Sequence, residues 1–219
     1  MAATTEKPRL VLWGAGTPRT LRAHWVLHEL GLDYESRPIG ARTGETQTPE
    51  FAKFNLREKI PLLQDGELTL AESAAIVTYL AEKYGQPTGL IPLASSPQRA
   101  AYYEWCFFTM MELDAHTIYV IHKHDSVGRL VKLYGEAPIA ARAAREGFQK
   151  QVRVADQRLA LKGPFILGDV FTGADILLTT CLTWADRYEL PLTEGLRDYI
   201  RRTTSREAYR LASTANQRS

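Results

Sequence analysis

The sequence predicts an α/β half followed by an all-helical half, and three observations carry that reading. From Arg9 to Tyr84, short β-like runs alternate with stretches of helical period. Gly85 to Pro97, GQPTGLIPLASSP, is rich in Gly, Pro and Ser and reads as a linker. Beyond it every periodic stretch is helical. The expected organisation is therefore a loose polar start over residues 1–7, an α/β domain over 8–85, a linker over 86–97 and a helical domain over 98–219.

Each element has a local reason. RLVLW, Arg9 to Trp13, is an apolar run of strand length, and the small-residue turn Gly14-Ala15-Gly16 ends it. Thr20 to Leu30 has helical period and stops at Gly31, a residue suited to the left-handed position after a helix. Leu32 to Ile39 is the second strand, parallel to the first because a helix crosses over between them. Pro49 to Phe54 suggests a short helix after the polar stretch Gly40 to Thr48. A hairpin follows, with strands Pro61–Gln64 and Glu67–Leu70 and a turn on Asp65-Gly66. Ala71 to Tyr84 is an amphipathic helix with Ile76, Leu80 and Tyr84 on one face. The second half offers helices over Gln98–His124, Ala137–Leu161, Thr172–Tyr188, Glu194–Thr203 and Arg206–Thr214.

Composition narrows the function. A net charge of +2 on 219 residues gives no reason to expect nucleic acid or an anionic membrane as partner. No apolar run reaches the roughly 20 residues that span a bilayer, and MAATTEKPR has no apolar signal core. Cys106 and Cys181 form neither a C-x-x-C nor a disulfide framework, which fits a reducing compartment; a cytoplasmic location is expected. His116, His122 and His124 lack the companions of a metal site, so no metal is expected.

Three helix starts hold the candidate chemistry. Thr17-Pro18 is a favourable N-cap and N1 pair, and a cap uses the threonine oxygen as acceptor while its proton stays available. Thr17 can therefore cap the helix, face a ligand, or do both. Glu72-Ser73 opens the last helix of the α/β half, where unpaired N–H groups and the helix dipole favour an anion; an ordinary serine cap is the alternative. Thr172-Gly173-Ala174-Asp175 has the hydroxyl and the acid of a capping box, which makes Asp175 a folding device. Pro61 either starts an edge strand or presents the backbone of Ile60 to a ligand.

Two of these segments resemble the cytosolic glutathione transferases. KIPLLQDGELTLAESAAIVTYLAEKYG, Lys59 to Gly85, is similar to the family's stretch around its cis-proline and glutamate-serine pair, and FILGDVFTGADILL, Phe165 to Leu178, to its second-domain capping motif. The resemblance spans nearly the whole chain. It implies a thioredoxin-like α/β N-terminal domain, an all-α C-terminal domain, and glutathione as co-substrate. It further implies that Pro61 is cis with the Ile60 backbone turned toward glutathione, and that Glu72 and Ser73 hold the γ-glutamyl group. GETQTPEFAKFNLREKIP, Gly44 to Pro61, resembles the phi-class pattern and puts Gln47 and Lys59 at the glycine carboxylate. Gln47 replaces a cation there, and Leu56 and Glu58 stand where that pattern has Pro and Gly. For Lys59 a solvated surface lysine is the alternative.

Read against serine- and cysteine-type members, Thr17 falls on the thiol-activating position and Thr20 on the second small residue. A backbone N–H or Arg19 are the other candidate donors. A free thiol has a pKa of about 8.5, and lowering it by two units takes about 2.7 kcal/mol, within reach of one hydroxyl and a helix N-terminus. No cysteine sits at this junction, which disfavours redox chemistry through an enzyme thiol. The resemblance implies conjugation of glutathione to a hydrophobic electrophile by a homodimer; the aromatic run Tyr102, Tyr103, Trp105, Phe107 and Phe108 is mostly core, and a few of its members, with Met111, supply the pocket. A glutathione-dependent peroxidase, lyase, isomerase or ether-cleaving enzyme, and a non-catalytic binding module, are the alternatives on the same fold.

Overall fold

The computed structural model describes residues 10–85 and 88–218; the expected loose start over 1–7, and positions 8, 9, 86, 87 and 219, lie outside the described residues. The chain forms two compact units, one holding residues 10–85 and 206–218 and the other 88–205.

In the first unit β1 (Leu10–Trp13), α1 (Pro18–Glu29) and β2 (Tyr34–Arg37) make a parallel crossover, followed by a 3₁₀ turn (Glu45–Gln47) and α2 (Pro49–Ala52). β3 (Leu62–Asp65) and β4 (Leu68–Ala71) form the hairpin, and α3 (Ser73–Tyr84) closes the stretch. The four-stranded sheet runs β2-β1-β3-β4, with β3 antiparallel to β1 and Trp13 opposite Leu62. Leu12, Leu63, Trp25, Val26, Leu27, Ile76 and Leu80 are fully buried. This is the thioredoxin-like arrangement.

The hairpin turn lies one residue later than Asp65-Gly66. Gly66, at φ 61°, and Glu67 make the two-residue loop, while Asp65 is the last residue of β3. Asp65 is buried and accepts from Tyr79 Oη (2.8 Å), Tyr84 Oη (2.8 Å) and Lys83 Nζ (2.7 Å). Those three donors draw Asp65 into the strand, which a short-range turn signal does not register.

The second unit is helical: α4 (Gln98–Phe108), a π-helical segment (Thr109–Ile118), α5 (Tyr119–His124), the single turn α6 (Val131–Tyr134), α7 (Pro138–Lys162), α8 (Gly173–Asp186) and α9 (Glu194–Thr204). The expected single helix from Gln98 to His124 is continuous in path but widens in the middle, where Tyr119 N–H reaches Asp114 O, an i→i+5 bond. Buried Thr109, Leu113, Asp114, Thr117 and Ile118 are spaced by fours and fives, as that wider turn requires. Among the described residues no helix is long and apolar enough to cross a membrane.

The last helix, α10 (Glu207–Ala215), belongs to the first unit rather than to the helical one with which the sequence groups it. Arg206 forms a two-pronged ion pair with Glu29 of α1 (2.6 Å on each oxygen), and Tyr209 packs edge-on against Trp25. Glu29 is nearly buried and also accepts from Trp25 Nε1 at 2.9 Å, so the pair has a fixed geometry rather than that of a solvated surface bridge.

Candidate functional site

The site builds outward from the turn between β1 and α1. Gly14 N–H donates to Arg37 O and Ala15 N–H to Ile39 O, so the chain leaves β1 along β2 before turning. Gly14 has φ 111°, and a Cβ there would fall 2.5 Å from the Cβ of Ile60. Only glycine lets the turn and Ile60 touch this closely. Beneath it, fully buried His24 donates from Nε2 to Gly14 O (3.1 Å) and accepts at Nδ1 from Tyr34 Oη (2.7 Å). Burial holds the His24 imidazole neutral, with a pKa of about 4.

Thr17 is the N-cap of α1. Its Oγ1 accepts from Thr20 N (3.0 Å), while Thr20 Oγ1 accepts from Thr17 N (3.0 Å), a capping box made from two threonines. The two hydroxyls are 3.0 Å apart. Thr20 is fully buried, and acceptors for its proton lie at Asn216 Oδ1 (2.6 Å) and Thr17 O (2.9 Å). Thr17 is half-buried, and no carbonyl or carboxylate among the described residues takes its proton. The two hydroxyls therefore differ: the proton of Thr20 is engaged inside the protein, and that of Thr17 is able to turn outward. Arg19, on the first turn of α1, is half-buried.

The Ile60–Pro61 bond is cis, as the family resemblance implies. Among the described residues no backbone hydrogen bond uses the N–H or carbonyl of Ile60. Ser73 is not the cap of α3. The cap position is Glu72, at φ 72° and ψ 116°, and it makes no side-chain cap bond, so the first N–H groups of α3 are left for another acceptor. Ser73, the first helical residue, is buried, and its Oγ accepts from Arg22 Nη1 at 3.2 Å. Glu72 is exposed and pairs with Arg57 at 2.8 Å.

The loop before Ile60 accommodates its unusual residues. Glu58 takes φ 53°, the left-handed conformation for which the phi-class pattern supplies glycine. Asn55 holds it there, donating from Nδ2 to Lys59 O (2.7 Å) and accepting from Arg57 N (3.0 Å), with Glu58 N–H on Asn55 O. Lys59 and Gln47 are exposed. Contacts thus link Thr17 and Thr20 to Ile60 through Gly14, and α1 to Ser73 through Arg22; among the described residues no side-chain hydrogen bond joins Gln47 or Lys59 to that group.

Arg22, Arg57 and Asn216 escape sequence reasoning. Arg22 has no exposed surface, and its partner Ser73 is 51 residues away. Asn216 meets Thr17 across 199 positions. Cys106 and Cys181 are both buried, and burial pushes the Cys106 thiol up to about 12. In the second unit Asp175 is fully buried and accepts four hydrogen bonds, from Ile166 N, Thr172 N, Thr172 Oγ1 and Tyr199 Oη. His122 bonds Tyr188 Oη and His124 bonds Gly135 O.

Comparison with known proteins matches this architecture twice over. The glutathione S-transferase N-terminal domain matches residues 8–82, and the C-terminal domain of the same family matches residues 138–210. Glutathione S-transferase 3 of Zea mays is 33% identical over 168 residues, covering 73% of this chain and 70% of that one. The disulfide-bond oxidoreductase YfcG of Escherichia coli is 28% identical over 209 residues, covering 90% and 91%. Among solved structures, the theta class enzyme of Xanthomonas axonopodis pv. citri with glutathione bound is similar at a TM-score of 0.78 and 27% identity, covering 96% of this chain and 100% of that one. With both domains matched in order and a relative of this identity over most of its length, the chain belongs to the glutathione S-transferase family.

Proposed function

We propose that the chain binds glutathione on its first unit, stabilises the bound thiol as thiolate with the Thr17 hydroxyl and the N-terminus of α1, and conjugates it to a hydrophobic electrophile. The observation that carries this reading is the contrast between the two hydroxyls: Thr20 is sealed in, while the proton of Thr17 can turn to a ligand. Around it, the unpaired Ile60 backbone suits the peptide of glutathione as an added strand would, and the uncapped start of α3 suits its γ-glutamyl carboxylate. Arg22 supports the second assignment. Its guanidinium donates to Ser73 Oγ, which leaves the serine proton for the carboxylate. Gln47 and Lys59 serve the glycine carboxylate from the surface, a weaker contact because Gln47 has no charge.

In the second unit Phe107 and Met111 are exposed, apolar surface of the kind a hydrophobic substrate needs. Homodimer formation belongs to the same proposal: Leu56 is 91% exposed, with Phe54 nearby on the same loop, and a second copy would cover them.

The test is titration of glutathione into the protein near neutral pH, following heat and ultraviolet thiolate absorbance together. Binding with a thiolate signal is expected, and Ser73→Ala should weaken it by about 1–3 kcal/mol, the range of a charge-assisted bond. Unchanged affinity in Ser73→Ala would contradict the assigned site.

One further reading has its own support. The Escherichia coli relative that aligns over nine-tenths of the chain is a disulfide-bond oxidoreductase. Here the cysteines are buried and the Cys106 thiol is disfavoured as a thiolate. The nucleophile would then be glutathione itself: its thiolate attacks a disulfide and releases one thiolate, and a second glutathione thiolate attacks the glutathione sulfur of the mixed disulfide, forming oxidised glutathione and releasing the other substrate thiolate. Reduction of a small disulfide by glutathione, unaffected by replacing both cysteines with alanine, would favour it over conjugation.

A further inference from the structure

We infer that the segment Asn216–Arg218 is a positioning strap for the glutathione site, holding the Thr17 turn through Asn216 and the loop before α2 through Arg218. The inference rests on the proposed glutathione reading.

The segment leaves α10, itself anchored on α1 by Arg206–Glu29 and Tyr209–Trp25, and crosses the start of α1. Asn216 holds both sides of the Gly16-Thr17 dipeptide. Gly16 N–H donates to Asn216 O (2.8 Å) and to Asn216 Oδ1 (3.2 Å), and Asn216 Nδ2 donates to Thr17 O (3.1 Å). Asn216 Oδ1 also takes the Thr20 proton at 2.6 Å. Gly16 has φ 84°, so this dipeptide needs outside contacts to hold one orientation. One asparagine thus fixes the N–H before Thr17, the carbonyl after it, and the hydroxyl beside it. The position of Thr17 Oγ1 follows from these bonds.

Two residues on, Arg218 reaches the loop between β2 and α2. Its Nη2 pairs with Glu45 Oε2 (2.8 Å), and that carboxylate also accepts from Gly40 N–H (2.9 Å) and Thr43 Oγ1 (2.5 Å). The guanidinium lies flush on Gly40, where a Cβ would fall 1.8 Å from Nη1. Gly40 is outside the left-handed region, so its lack of a side chain here serves to seat Arg218. Glu45 opens the turn that ends at Gln47, so the ion pair sets the loop that offers Gln47 to the glycine end of glutathione.

The two legs make separable predictions. Asn216 acts on the reacting end, and Arg218 on the far end. Asn216→Ala removes three side-chain bonds around Thr17 and, by loosening its hydroxyl, should raise the pKa of bound glutathione by about 0.5–1 unit. Ending the chain after Ala215 removes the backbone bond to Gly16 as well and should raise that pKa further. Arg218→Gln should instead raise the Kd for glutathione about threefold, more at low salt than at high, and leave the thiol pKa in place. Gly40→Ala, which expels Arg218 without touching the strap's own sequence, should reproduce Arg218→Gln.

The experiment is a pH titration of thiolate absorbance, together with a glutathione titration at fixed pH that reads Kd, on the parent chain and these four variants, with circular dichroism confirming that each is folded. A raised pKa in Asn216→Ala and a raised Kd in Arg218→Gln are the expected results. A parent chain that binds glutathione as thiolate, with both variants matching it, would overturn the strap and leave the glutathione reading standing. A parent chain that binds no glutathione would overturn both.

Discussion

Two helix starts in this protein use a threonine cap and a partner three residues on, and they end in opposite states. At α8, Thr172 donates its hydroxyl proton to Asp175, whose carboxylate accepts four hydrogen bonds without any exposed surface. At α1, Thr17 Oγ1 accepts from Thr20 N–H, its partner is the neutral Thr20, and among the described residues the one acceptor within reach of its own proton is the Thr20 hydroxyl at 3.0 Å. The difference is one of charge at the third helical position. A carboxylate seals the cap and fixes every proton, which suits a core. A hydroxyl leaves room for an anion from outside, since no negative charge already occupies the helix start. The same local device, a threonine cap with a partner three residues on, is a sealed capping box in one half of the chain and a candidate thiolate site in the other.

Breaking the sealed box should have the largest effect. Asp175→Ala leaves two buried N–H groups and two buried hydroxyls without their acceptor and should cost about 3–4 kcal/mol in denaturant unfolding. Its glutathione affinity per folded molecule should be unchanged, because none of those partners belongs to the first unit.

Acid should separate the two starts next. The α1 turn rests on neutral His24, whose folded pKa of about 4 lies below the unfolded value of 6.5. Its contribution is fully present above pH 6.5 and is lost as pH falls toward 4, because the unfolded chain takes up the proton first. At about 1.4 kcal/mol per unit this amounts to about 3 kcal/mol across the window. His28, also lowered by burial, acts in the same direction. Chemical unfolding at pH 7, 5.5 and 4.5 should show this slope, and His24→Gln should flatten it.

Making the first start resemble the second is a subtler change. Thr20→Asp supplies the acid of an ordinary box but sets a negative charge beside the thiolate. The pKa of bound glutathione should rise by about 1 unit or more, read from thiolate absorbance against pH. A lowered pKa would contradict the charge argument.

How far the sequence reached follows the range of the interactions. Strands and helices are legible because their signals are local: an apolar run ended by Gly14-Ala15-Gly16, a helix stopped at Gly31, an amphipathic face through Ile76 and Leu80. The hairpin is legible but displaced by one residue, since Asp65 answers to Tyr79, Lys83 and Tyr84 rather than to its neighbour Gly66. The π-helical segment leaves no short-range mark, because its apolar residues also suit an ordinary helix of slightly different phase. Thr17, Ile60, Pro61, Glu72 and Ser73 stand out as candidates since each sits at an element boundary with its own chemistry. Arg22 and Asn216 are invisible because what distinguishes them is a partner 51 or 199 residues away.

The central claim is that the hydroxyl proton of Thr17 stabilises a thiolate, and the most direct measurement is the pKa of glutathione bound to Thr17→Val and to Thr17→Ser. Valine keeps the shape of the side chain and removes both proton and acceptor, whereas serine keeps the hydroxyl. The account predicts a pKa about 1–2 units higher in Thr17→Val and near the parent value in Thr17→Ser, since one charge-assisted hydrogen bond is worth about that much. An unchanged pKa in Thr17→Val, with only the loss of a helix cap in its stability, would contradict it.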